Sequence, residues 1–266
     1  MGTSSFSPCE LFRAMAPIDL ILESFQSYYS EESDHCHSGQ STWVNEDSQE
    51  KFALLLKNII KTPHTVSGEY IKFSPTDRYI RKVLSKFVAK VEENSCMIES
   101  DELVELMMEY QMKPGVKNDS MPDPNEWCYV SFQLPVCNKL AMTRNTNYND
   151  VVGIKVFPYH NDVGVRKVWE AGAALAEFFL VRPDLIKDKS VLELGAGVGL
   201  TGIIISGLCE PKSVHLTDYT DATLINMEHN ISVNKTWIKN TRCGDYCAVT
   251  SVSISAVSFT TRSIFS

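Results

Sequence analysis

Three glycines spaced two apart, Gly195, Gly197 and Gly199, follow a short apolar segment that carries a single acid, in the run Val191-Leu-Glu-Leu-Gly-Ala-Gly-Val-Gly-Leu-Thr-Gly202. Residues of these types at this spacing suit the seating of a nucleotide cofactor. A strand that turns at once into a helix needs positive φ, and glycine supplies it while letting a ligand approach the main chain. A second apolar segment, Ser213-Val-His-Leu-Thr217, ends on Asp218, where a carboxylate can accept both hydroxyls of a ribose. Strand, glycine turn, helix, strand and terminal acid together are far more specific than glycines alone.

The glycines allow two registers. Gly197-x-Gly199-x-x-Gly202 fits the dinucleotide pattern of nicotinamide and flavin enzymes, whereas the acid-x-Gly-x-Gly-x-Gly string from Glu193 to Gly199 is the form used with S-adenosylmethionine. The preceding segment favours the second. Val168-Trp-Glu-Ala-Gly-Ala-Ala-Leu-Ala-Glu-Phe-Phe-Leu180, then Arg182-Pro-Asp184, resembles the stretch before the first strand in seven-strand protein-lysine methyltransferases. Together with Gly164-x-x-x-x-Trp169-Glu-Ala and Leu175-Ala-Glu177, the chain resembles the eukaryotic elongation factor 2 lysine methyltransferase family over about residues 160 to 235. That resemblance implies a Rossmann-like α/β fold and S-adenosylmethionine as cofactor, held by Trp169, Gly195, Ala196, Gly197 and Asp218, with Gly199 in the same loop and Glu193 near the methionyl ammonium. It also implies a protein substrate, elongation factor 2. On pattern alone, Trp169 reads equally as a core aromatic of an amphipathic helix and Asp218 as a helix N-cap.

The elements that must position this loop occupy the second half of the chain. The first half carries four apolar stripes at helical spacing. They run through Ile18, Ile21, Leu22, Phe25 and Tyr29, through Phe52, Leu55, Leu56, Ile59 and Ile60, from Tyr79 to Val91, and through Leu103, Leu106, Met107 and Tyr110. Pro17, the pair Asp47 and Glu50, Thr76 and Ser100 are the expected starts. A small helical domain over residues 1–120 is thus expected, followed by a partial methyltransferase domain over 121–266. Residues from Lys113 to Asn125 are rich in Pro, Gly, Asn and Asp and read as the linker. Trp127–Leu134 and Val151–Phe157 read as a strand pair, and Asp221 as the cap of a helix through Leu224, Ile225, Met227 and Ile231.

A chain of 266 residues with 44% hydrophobic content can bury a sizeable core. Its net charge of -8 argues against general nucleic-acid or anionic-membrane binding, and no apolar run reaches the roughly twenty residues of a membrane span. The start lacks the charged and apolar regions of a signal peptide, so the reading is cytoplasmic, with eight reduced cysteines. No metal site is expected: His35-Cys36-His37 and Cys243-x-x-x-Cys247 lack the paired spacing of zinc ligands. The Asn-x-Ser/Thr strings at Asn118, Asn230 and Asn234 carry no information without a secretory route.

About seventy residues follow Gly195, and a full doubly wound sheet takes roughly twice that length. The family's acceptor-side Asp-x-x-Tyr segment has no counterpart, since Asp245 and Tyr246 are adjacent, and catalytic residues stay unassigned. The Ser/Thr-rich ending Ala248–Phe259 resembles nothing in the family and alternates as a single strand would. The expectation is a C-terminally truncated product with an unpaired sheet edge, prone to aggregate. Two alternatives to a working protein-lysine methyltransferase follow. One is a catalytically inactive binding or regulatory module that engages the target or associates with a full-length relative. The other is a nicotinamide-dependent oxidoreductase using the Gly197 register.

Overall fold

A computed structural model describes residues 7–32, 44–61, 75–112, 121–134, 151–235, 238 and 248–253. The chain divides into two units, Met1–Gly153 and Ile154–Ser266.

The first unit is built on the apolar stripes. Its described helices are α1 (Pro8–Arg13), α2 (Ile18–Glu32), α3 (Glu46–Lys61), α4 (Asp77–Glu93) and α5 (Asp101–Met112). The stripes of α2, α3 and α4 meet through three rings: Phe52 and Phe87 stack at 3.8 Å, and Phe25 stands edge-on to them at 5.1 and 6.0 Å. Thr76 and Ser100 cap as expected, accepting the Tyr79 and Leu103 amides at 3.1 and 3.2 Å. At α3 the expected pair Asp47 and Glu50 does not cap. The helix starts at Glu46, so Asn45 takes the Ser48 amide at 3.0 Å, and Asp47, already in the first turn, accepts the Tyr29 hydroxyl at 3.0 Å. Helix α1 was not anticipated, although Ser7-Pro8-Cys9-Glu10 carries its start. The Ser7 amide donates to Glu10 at 2.9 Å and the Glu10 amide to Ser7 at 3.3 Å, with proline at the first helical position.

Strands β1 (Cys128–Gln133) and β2 (Val151–Val156) form a two-stranded sheet, and the division between the units falls within β2. The second unit continues with α6 (Glu170–Val181), a 3-10 turn (Pro183–Leu185), β3 (Ser190–Leu194), α7 (Leu200–Leu208), β4 (Ser213–Asp218), α8 (Asp221–Val233) and β5 (Ala248–Ser253). Strand β4 is central and parallel to both neighbours, with Leu194 opposite Thr217 on one side and Asp218 opposite Ser253 on the other. The alternating tail therefore supplies one strand. Residues after Ser253 lie outside the described residues, as do His35 to His37, Asn118, Cys243, Asp245, Tyr246 and Cys247.

Helix α7 packs against β4 through Gly202, where a Cβ would collide with the Leu216 side chain, so any larger residue must displace that leucine. Ile186, Ile205, Cys209, Val214, Leu216 and Met227 form the buried core around that contact. Helix α8 is capped by Thr220, which accepts the Thr223 amide at 3.1 Å, and not by Asp221. Asp221 is the first helical residue, where its charge faces the positive end of the helix dipole. Among the described residues β3 has a strand on one edge only, and its Leu192 and Leu194 are 61% and 60% exposed. No described helix is long and apolar enough to cross a membrane.

Candidate functional site

The turn from β3 into α7 is made by three residues with positive φ, Gly195 at 68°, Gly197 at 56° and Gly199 at 85°. Hydrogen bonds fix its course. The Ala196 amide donates to the Thr217 carbonyl at 2.9 Å, the Gly197 amide to Asp218 Oδ2 at 2.8 Å, and the Gly199 amide to the Ala196 carbonyl at 2.9 Å. Beneath the loop the Thr217 hydroxyl donates to the Glu193 carbonyl at 2.8 Å, tying the ends of β3 and β4 together. The glycines then differ in what surrounds them. A Cβ on Gly199 would press on Met227 at 3.1 Å, whereas a Cβ on Gly195 would meet nothing within 4 Å. The main chain at Gly195 is open for a ligand.

That open side faces a cavity of about 580 Å³ walled by β3, the loop, the start of α7 and one side of α6 from Ala171 to Phe179. Trp169, Glu193, Gly195, Ala196 and Gly197 all line it. Gly199 and Asp218 do not: Gly199 is buried behind the loop, and the Asp218 carboxylate is engaged by the Gly197 amide and, at 2.7 Å, by the Tyr219 amide. Asp218 thus braces the loop from the end of β4.

Trp169 stands at the N-cap position of α6, and it is 47% exposed. It is not the core aromatic that pattern alone allows. The Lys167 ammonium lies 4.8 Å from its ring centroid, which leaves an aromatic surface beside a cation at the cavity wall. Glu193 is the electrostatic centre. Burial pushes its carboxyl up to about 7, against the lowering effect of the Thr201 side chain and the Gly202 amide. Its Oε2 is shut off from solvent and has no hydrogen-bond partner. A buried carboxyl oxygen left without a partner, in a residue that lines a cavity, is relieved by a donor or a cation brought beside it.

Other residues of the site escaped the sequence reading. Thr201 donates to the Gly172 carbonyl at 3.0 Å and so joins α7 to α6 across the cavity floor. Asp162 accepts the Gly164 amide at 2.9 Å, the Thr223 hydroxyl at 3.1 Å and the Thr220 hydroxyl. Burial raises the pKa of this carboxyl, but those hydroxyl and amide donors outweigh it and hold the group below the ordinary carboxylate range. It anchors the loop whose Gly164 carbonyl would lie 3.3 Å from a Cβ on Gly197. The short Asp-x-Gly string was the signal for this turn.

A parallel βαβ unit whose glycine turn opens a cavity beside the carboxyl end of its first strand defines a Rossmann-like, nucleotide-cofactor-binding α/β protein. Residues 150–243 match the lysine methyltransferase family. An uncharacterised protein of Dictyostelium discoideum is 29% identical over 189 residues, covering 69% of this chain and 48% of that protein. The protein-lysine N-methyltransferase EEF2KMT of Mus musculus is 27% identical over 181 residues, 68% of this chain and 46% of the mouse protein. The protein N-terminal and lysine N-methyltransferase efm7 of Schizosaccharomyces pombe is 46% identical over 65 residues, 24% of this chain and 25% of the yeast protein. Over residues 150–243 the chain thus matches the lysine methyltransferase family, and over a longer stretch it is similar to the EEF2KMT protein-lysine N-methyltransferases. It spans about half the length of the first two of these relatives.

The family's methyl donor is S-adenosylmethionine. The cavity fits that cation on its own terms: Glu193, whose buried Oε2 has no partner, lines it together with an open stretch of main chain and an exposed indole. The helix that begins beyond Gly199 has no side-chain cap, and its Gly202 amide is turned toward Glu193.

Proposed function

We propose that this chain is the cofactor-holding part of a protein-lysine methyltransferase and that its substrate is elongation factor 2. The observation that carries the proposal is the unpartnered, buried Oε2 of Glu193, a residue that lines the cavity opened by Gly195. Trp169 would flank the cofactor, while Glu193 would meet its ammonium. Asp218, through the Gly197 amide, would hold the loop in shape, with its remaining acceptor capacity directed to the ribose.

Bound S-adenosylmethionine supplies an electrophilic methyl group. The chain has only to hold it in line with a neutral lysine amine, because oriented contact alone contributes on the order of 7 to 11 kcal/mol toward the barrier. An acceptor lysine drawn into apolar surroundings such as those of Leu175 and Phe179 loses its proton more readily, since burial disfavours the ammonium. Labelled methyl transfer from S-adenosylmethionine to purified elongation factor 2, with a Lys-to-Arg target as control, tests this reading. Transfer absent with a cofactor-bound, folded chain would overturn it.

One observation favours a second reading. Strand β3 leaves an edge without a strand among the described residues and carries two exposed leucines. A sheet open at this strand suits an inactive module that binds the target or a full-length relative, and that adds a strand on the β3 edge. Cofactor binding without methyl transfer, together with co-purification of a full-length relative, distinguishes it from the first.

A further inference from the structure

Helix α8 presents Asn226 and Asn230 on its buried face, and Asn234 follows as its C-cap, at 4%, 0% and 0% exposure. Two of these asparagines begin strings that read in sequence as glycosylation acceptors, but in the fold their amides are committed to the main chain. The Lys155 amide donates to Asn230 Oδ1 at 2.8 Å, and Asn230 Nδ2 donates to the Lys155 carbonyl at 3.2 Å and to the Val198 carbonyl at 2.9 Å. One acceptor facing an N–H and two donors facing carbonyls admit a single orientation of the amide. Asn226 makes the Lys155 contact at 3.0 Å, but no bond between it and Val198 accompanies this contact.

Val198 lies between Gly197 and Gly199, both at positive φ, where the chain is intrinsically least restrained. Fixing its carbonyl fixes the peptide plane that carries the Gly199 amide, which closes the turn onto Ala196 at 2.9 Å. The same turn directs the Gly197 amide to Asp218. We infer that Asn230 is a positioning residue that pre-organises the cofactor loop through the Val198 carbonyl, making β2 and α8 part of the cofactor site. The inference rests on the proposed cofactor role of the loop, but its structural half stands without it.

The test compares Asn230→Ala with Asn226→Ala in the full chain: both lose a bond to the Lys155 carbonyl, while only the first also loses the Lys155 amide and the Val198 carbonyl. Amide hydrogen exchange at Gly197 and Gly199 is measured without cofactor, and S-adenosylmethionine affinity by titration. Asn230→Ala should raise loop exchange and the Kd at least tenfold, while Asn226→Ala leaves both within about threefold. Equal effects in the two variants, or unchanged loop exchange in Asn230→Ala, overturn the proposal. If Asn230→Ala does not fold, Asn230→Asp takes its place. It keeps the Oδ1 acceptor and turns an acceptor toward the Val198 carbonyl, so its excess loop exchange, normalised to intrinsic rates, should fall as the new carboxyl is protonated; a flat profile counts against the proposal. A wild-type chain that fails to bind S-adenosylmethionine refutes the cofactor reading alone, since the exchange comparison still decides the role of Asn230.

Discussion

Replacing Glu193 with glutamine removes a charge from the cofactor cavity while keeping its size. In the folded chain this carboxyl is raised by burial from its ordinary 4.5 to about 7. The folded state therefore retains a proton that the unfolded chain gives up as pH rises from 4.5. Relative to Glu193→Gln, the stability of the wild type is highest below pH 4.5, declines as pH rises to about 7 and is level above it. At about 1.4 kcal/mol per pH unit the interval corresponds to roughly 3 kcal/mol, and solvent at the cavity mouth reduces this to roughly 2. Urea melts of both proteins at half-unit steps from pH 4 to 8.5 measure the difference directly. Glu193→Gln should gain on the wild type by roughly 2 kcal/mol across that range, with the change complete near pH 7. A difference that does not vary with pH would refute the assignment of a buried, proton-retaining Glu193. With S-adenosylmethionine present the decline should flatten, because a bound ammonium favours the carboxylate, and cofactor affinity should weaken as pH falls below about 7.

Trp169→Ala should leave stability within about 0.5 kcal/mol, as expected of a side chain 47% exposed, yet weaken S-adenosylmethionine about tenfold by calorimetry. Gly202→Ala should cost about 1 to 3 kcal/mol in urea melts, because the new methyl forces Leu216 out of the α7–β4 contact. Phe52→Ala removes a ring stacked at 3.8 Å on Phe87 in a fully buried position and should cost about 3 to 5 kcal/mol, read as a fall in thermal midpoint. Leu192→Ser with Leu194→Ser should lower dye binding and light scattering of the purified chain if the exposed β3 leucines drive self-association.

The cofactor loop was legible because its requirements are local. Positive φ at Gly195, Gly197 and Gly199, and close helix approach at Gly202, favour glycine over any other residue type on local grounds. The stripes of α2 to α5 were legible for a similar reason, since one buried face imposes its period on the sequence. Caps were less so: Asn45, Asp47 and Asp221 are all competent acceptors, and the first residue to leave helical geometry decides among them. The roles of Asn230 and Asp162 depend on partners such as Val198 and Thr220 that are brought near only by folding. Asparagines on a helix look like surface residues until the strand they clasp is known. Glu193 was marked by its spacing, but its unpartnered oxygen and raised pKa arise from its burial in the folded chain, beside Thr201 and Gly202 of α7.

Calorimetric titration of the purified, folded chain with S-adenosylmethionine tests the central claim most directly. The account predicts saturable one-to-one binding that S-adenosylhomocysteine displaces, that NADH does not, and that Asp218→Ala weakens by loosening the loop. No heat of binding from a chain with a cooperative melting transition, or displacement by NADH, would contradict it.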